Sequence, residues 1–157
     1  EAGEAHSDRQ RELTGKGRDD VAVACHRFHD VCKDRHLPHP QRIFYSPWMR
    51  TLQTADILAG AFTHAHCTAL EALRPGSDIS AVDRALANMP GTHEQEHVML
   101  VSHQPLVSRL VDHYLGQRAL VPGLPPGGLA TLALDVPAAG CGSLQFWALP
   151  PEYEAAL

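Results

Sequence analysis

Two short stretches of this chain place a group able to handle a phosphate or a proton at the end of an apolar run. In "RIFYSPWMR" a strand-like segment passes through Ser46 and Pro47 into a helical pattern whose first turn carries Arg50. In "VMLVSHQPL" a second apolar run stops at Ser102-His103, and an amphipathic helix follows at once. An arginine at a helix start can fork its guanidinium onto two oxygens of an oxyanion. An imidazole there can hydrogen-bond the same anion or transfer a proton. Ligand sites of open parallel sheets lie beyond the carboxyl ends of the strands, where helix starts add unpaired N–H groups and a positive dipole end. Side by side, the two junctions would make an anion pocket. Alone, each has a plainer meaning, because an arginine in a first turn is usually solvated and a histidine after a strand is usually structural. The pair, in this order, carries the inference.

The surrounding pattern supplies elements to hold both junctions. Thr14 is a helix cap, and apolar residues recur at Val21, Ala24, Cys25, Phe28, Val31 and Cys32, a helical period running to about Leu37 before "PHP" ends it. "RIFYS" reads as a strand, and Ser46 and Pro47 suit the cap and first position of the next helix. "ALEAL", residues 69–73, reads as a short strand before the turn "RPGSD". Asp78 caps a helix over "ISAVDRALANM", the loop "PGTHEQE" leads to the strand "HVMLVS", and a helix runs from Pro105 to Leu115 with Gly116 closing it. After the loop "VPGLPPGG", "LATLALDV" and "SLQFWAL" form an antiparallel hairpin at the sheet edge. Strands alternating with helices predict a single α/β domain, a three-layer α/β/α sandwich with a mainly parallel central sheet and an antiparallel edge.

Composition narrows the function classes. The chain has 157 residues, 44% of them apolar, which is ordinary for a soluble globular domain. Apolar runs are strand-sized, so no membrane span is expected. A net charge of −5 argues against nucleic acid as the partner, since phosphate neutralisation needs a basic face. The opening "EAGEAHSDRQREL" lacks the basic and apolar regions of a signal peptide. Cys25 and Cys32 sit seven apart on one helix face, as buried thiols would, so a reducing, cytoplasmic setting without a disulfide framework is expected. The 11 histidines raise the alternative of a metal module, through "THAHC" and "CHRFHD". Their spacing is not that of a zinc site, and surface histidines account for them better.

The strings themselves resemble a known family. "YSPWMRTLQTADIL" is similar to the S-P-x-x-R-x-x-Q-T-A segment of the histidine phosphatase superfamily, and "MLVSHQPLV" to its V-S-H-x-P-L-V segment. "SDRQRELTGKGRDD" resembles the segment that opens the first helix of its short members. The small size, and "EALRPGSD" where larger relatives carry a helical lid, point to the SixA-type phosphohistidine phosphatases. The resemblance implies a phosphoglycerate-mutase-like fold and a reaction in which a phosphoryl group passes to an enzyme histidine and then to water. It makes Arg50 a phosphate clamp and His103 the second pocket histidine. Ser46 and Ser102 become turn residues lending donors, Arg11 a residue of the rim or an ion-pair partner, and Glu71 a position near the acid of larger relatives. No cofactor or metal is implied, because arginine and histidine supply the charge. The partner would be a phosphohistidine-bearing protein such as a phosphotransfer domain, met by a monomer.

One family motif is missing. No R-H-G occurs in the chain, and Arg35-His36 is followed by Leu near a helix end. "AGEA" at residues 2–5 invites alignment with the motif but leaves too few residues before Ser7-Asp8. The expectation is that the sequence shown starts just after the motif, and that a first strand carrying the nucleophile lies upstream of Glu1. The alternatives are a non-catalytic phosphate or phosphohistidine binder, and a phosphatase of a small phosphomonoester.

Overall fold

A computed structural model of the chain describes residues 7–90 and 95–157. The "AGEA" alignment and residues 91–94 of the "PGTHEQE" loop lie outside the described residues. Helix α1 spans Gly15–Asp34, with the Thr14 hydroxyl accepting from the Gly17 N–H at 3.0 Å. It stops short of Leu37 because His36 enters the left-handed region at φ 55° and the Leu37 N–H turns back to the Cys32 carbonyl. Strand β1 (Arg42–Tyr45), helix α2 (Met49–Ala61), strand β2 (His66–Ala69) and a 3-10 turn at Glu71–Leu73 follow. Helix α3 (Ile79–Ala87) starts at the Asp78 cap, strand β3 is Val98–Val101, and helix α4 is Leu106–Leu115. Strands β4 (Leu129–Leu134) and β5 (Gly142–Ala148) end the order.

Two sequence expectations need correction. "ALEAL" is no strand: Ala69 ends β2 and residues 71–73 turn away. β2 starts earlier, at His66, because it pairs in parallel with β1 residue for residue, from Arg42–His66 to Tyr45–Ala69. Past that register Leu73, fully buried, pulls the chain into the core. Ser46 is no helix cap either. Trp48 holds that position, while the Ser46 N–H continues the sheet ladder to the Val101 carbonyl at 2.9 Å.

The sheet β2-β1-β3 is parallel, and its side chains alternate cleanly between two helical layers. Ile43, Tyr45, Met99 and Val101 pack under α1 and α2, with Val21, Cys25, Ala55 and Leu58. Phe44 and Leu100 pack on the other face with Val82 of α3 and Leu106, Leu110 and Tyr114 of α4. Each buried leucine there contributes about 2 kcal/mol. Asp83 braces this layer, accepting from the Tyr114 hydroxyl at 2.8 Å and lying 2.8 Å from His113 Nε2. Burial, with the carboxylate beside it, raises the Tyr114 hydroxyl pKa. Gly116 closes α4 at φ 66°, where a Cβ would sit 2.9 Å from the Gly140 Cα.

The antiparallel pair β4-β5 forms a second, two-stranded sheet among the described residues. The free side of β5 is met at Trp147 by Ala156. Two helices cross both sheets. On one face, Phe28 of α1 touches Phe62 and Phe146. On the other, Val111 of α4 packs with a cluster holding Ala130, Leu132, Leu144 and Trp147. Among the described residues, no strand pairs with β3 on the side away from β1, or with β4 on the side away from β5. No described helix is long and apolar enough to cross a membrane.

Candidate functional site

The carboxyl ends of β1 and β3 lie side by side, since Tyr45 is paired with Val101. The next residues, Ser46 and Ser102-His103, therefore leave the sheet at the same edge. His103 Nε2 and the Ser46 hydroxyl are 2.8 Å apart and share one hydrogen. Ser46 is completely buried, so this bond fixes the imidazole against a rigid floor. Trp48 stands edge-on to the His103 ring, with centroids 5.3 Å apart. The Thr51 hydroxyl donates to the Ser46 carbonyl at 2.7 Å and locks the turn between β1 and α2.

Arg50 enters from the first turn of α2. Its Nη1 and Nη2 face the two carboxylate oxygens of Asp8 at 3.0 and 3.4 Å. The hydrogen bond from Arg50 is the main cause that holds the Asp8 pKa below the usual carboxylate value. Asp8 is a member of the site that the sequence did not single out. Its signal was its place in the family-like segment "SDRQRELTGKG", three residues before Arg11, to which no role was attached. That segment is tied to α2 by the Leu13 N–H, which donates to Gln53 Oε1 at 2.7 Å.

The other candidate residues fall at different distances from this centre. The Ser102 hydroxyl donates to the Leu73 carbonyl at 2.6 Å and anchors the 3-10 turn. Arg11 Nη1 lies 3.4 Å from Asp8 on a largely exposed side chain. Glu71 pairs with Arg74 Nε at 2.8 Å in the solvent. Of the decoy pair, Arg35 caps the end of α1 and donates to the Gln145 carbonyl. Among the described residues, no group of three or more His, Cys, Asp or Glu side chains is placed to hold a metal. Cys25 and Cys32 are both buried, and burial raises both thiol pKa values.

His103 is a neutral imidazole at physiological pH. Burial chiefly, then the nearby Arg50 charge, brings its pKa from 6.5 down to about 4, with Asp8 opposing weakly. The unfolded chain therefore takes up this proton near pH 6.5 and the folded chain only near pH 4. The folded state loses stability as pH falls through that window and is fully stabilised, in this respect, above it. Unscreened, the linkage is worth about 3 kcal/mol, and solvent screening of the partly exposed ring brings it to about 1–2 kcal/mol. Urea unfolding at pH 7 and pH 4.5 should show that loss in the wild type and a smaller one in His103→Asn. Equal losses in the two proteins would assign the pH dependence to other groups.

The sequence matches no family model and no curated protein. Solved structures do match its fold. A protein described as a phosphohistidine phosphatase SixA from Agrobacterium tumefaciens superposes with a TM-score of 0.68 at 23% identity, over 91% of this chain and 86% of its own. A protein histidine phosphatase SixA complexed with tungstate gives a TM-score of 0.63 at 25% identity, over 91% and 86%. Phosphoglycerate mutase from Plasmodium falciparum gives 0.65 at 17% identity, over 87% and 85%. With the Ser46 and Ser102 turns leaving the ends of adjacent parallel strands, the chain carries the SixA-like fold of the histidine phosphatase superfamily.

Proposed function

We propose that this protein is a phosphatase that hydrolyses phosphohistidine on a protein. The observation that carries the reading is that His103 meets Ser46 at the edge where β1 and β3 end, near enough to Arg50 for the guanidinium charge to act on the imidazole. A tungstate complex of a protein with the same fold supports an oxyanion seat in such proteins. Arg50 grips two phosphoryl oxygens through its fork, and His103 hydrogen-bonds a third as charge spreads over them. The nucleophile this reading needs is a histidine at the carboxyl end of a strand docked on β3, whose outer edge is unpaired among the described residues. Its ring nitrogen attacks phosphorus, the P–N bond of the substrate breaks, and the leaving imidazole takes a proton from solvent water. Water then attacks the phosphoenzyme, releasing phosphate and regenerating the histidine. Imidazole leaves without strong acid assistance, which suits a site where Glu71 is engaged with Arg74.

The test uses the full-length gene product and a protein carrying radiolabelled phosphohistidine. Release of labelled phosphate is expected, and His103→Ala should slow it about 100-fold to 1,000-fold. An unchanged rate in that variant would remove His103 from the mechanism. Tight binding of the phosphoprotein with no release would establish the non-catalytic binder instead. Equal or faster release from a small phosphomonoester would reassign the substrate.

A further inference from the structure

We propose that Asp8 is a built-in competitor for the anion seat on Arg50, displaced whenever a phosphoryl group binds. The inference rests on the assignment of Arg50 as the phosphate clamp. Both terminal nitrogens of Arg50 already face both Asp8 oxygens, at 3.0 and 3.4 Å, which is the two-on-two geometry that a phosphoryl group would adopt there. The two ligands cannot hold the same donors together.

The competitor is delivered by the chain itself. Residues 7–9 are helical, and five residues after Asp8 the Leu13 N–H is fastened to Gln53, in the same helix as Arg50. Tethering of this kind keeps the carboxylate at high effective concentration beside the guanidinium. Release is also provided for. Arg11 Nη1 lies 3.4 Å from Asp8 Oδ1 on an exposed side chain, so the displaced carboxylate keeps a cation. Asp8 is a carboxylate ionised through the neutral range, and the hydrogen bond from Arg50 lowers its pKa further, so the competition is permanent until a stronger anion arrives. The consequence is a resting state whose clamp is neutralised, in a chain that otherwise presents a bare guanidinium to every carboxylate on neighbouring proteins.

Calorimetric titration with inorganic phosphate, and separately with sulfate, tests this on the wild type, Asp8→Asn, Asp8→Ala and Arg50→Ala. Removing a competitor strengthens every ligand of the seat by the same factor, so both aspartate variants should bind both anions about fivefold more tightly. Raising ionic strength from about 0.15 M to about 0.5 M should reduce that factor without abolishing it, since a contact pair is weakened by salt but less than a charge acting from beyond the Debye length. Unchanged or weaker binding in Asp8→Asn and Asp8→Ala would overturn the proposal and make Asp8 a holder of Arg50. Tightening that disappears at the higher ionic strength would overturn it in favour of a through-space charge effect. If phosphate binds the wild type and Arg50→Ala equally, the phosphate-clamp assignment itself fails, a result separable from the other two.

Discussion

Arg50→Ala should lower phosphate release from a phosphohistidine protein by about 1,000-fold while leaving the fold intact. The size follows from geometry. Because His103 is neutral near pH 7 and Arg11 is largely exposed, the Arg50 guanidinium is the better-buried cation among the described residues at the site. Its two terminal nitrogens form a rigid fork that matches two phosphoryl oxygens. Stability should change little, since the partner that Arg50 loses is a partly exposed carboxylate. Arg50→Lys is the sharper variant. Lysine keeps the charge but offers a point donor, and it should recover only a small part of the rate. Steady-state kinetics beside thermal unfolding give both readouts. A lysine variant within about threefold of wild type would show that charge alone matters, and the fork argument would fall.

What the sequence revealed about this site depended on how local each signal was. The Thr14 and Asp78 caps and the Gly116 stop all formed where the residue types place them, because each is a contact within a few positions. The strand–turn–helix junctions at Ser46 and Ser102 were legible for the same reason. Ser46 itself was misread as a cap because its alternative partners, Val101 and His103, come from a strand more than fifty residues on. Asp8 was legible as part of the family-like segment "SDRQREL", but its pairing with Arg50 was not, because the two are 42 positions apart and no period or spacing rule reaches that far. β2 shows the same limit. Its register is set by β1 rather than by its own residues, all four of which are exposed.

The same long-range logic makes Phe146→Ala the substitution with the largest expected cost in stability, about 3–5 kcal/mol. Phe146 lies on β5 and is completely buried. Its ring is 6.0 Å from Phe28 of α1, which in turn meets Phe62 edge-on at 5.8 Å, just beyond α2. Arg35 closes the other side, its guanidinium 5.2 Å from the Phe146 centroid and its Nη1 donating to the Gln145 carbonyl at 2.8 Å. This chain of contacts joins the β4–β5 sheet to the sheet that carries Arg50 and His103. A two-stranded sheet is marginal by itself, so losing the Phe28–Phe146 contact should not release an independent unit. The expected result is one cooperative urea transition moved to lower denaturant, with phosphate binding lost along the same curve. Two separate transitions, the later one retaining phosphate binding, would mean that the parallel sheet builds the site without help from the hairpin. A loss below about 1 kcal/mol would mean that α4 alone joins the two sheets, through Val111 and its neighbours on the opposite face.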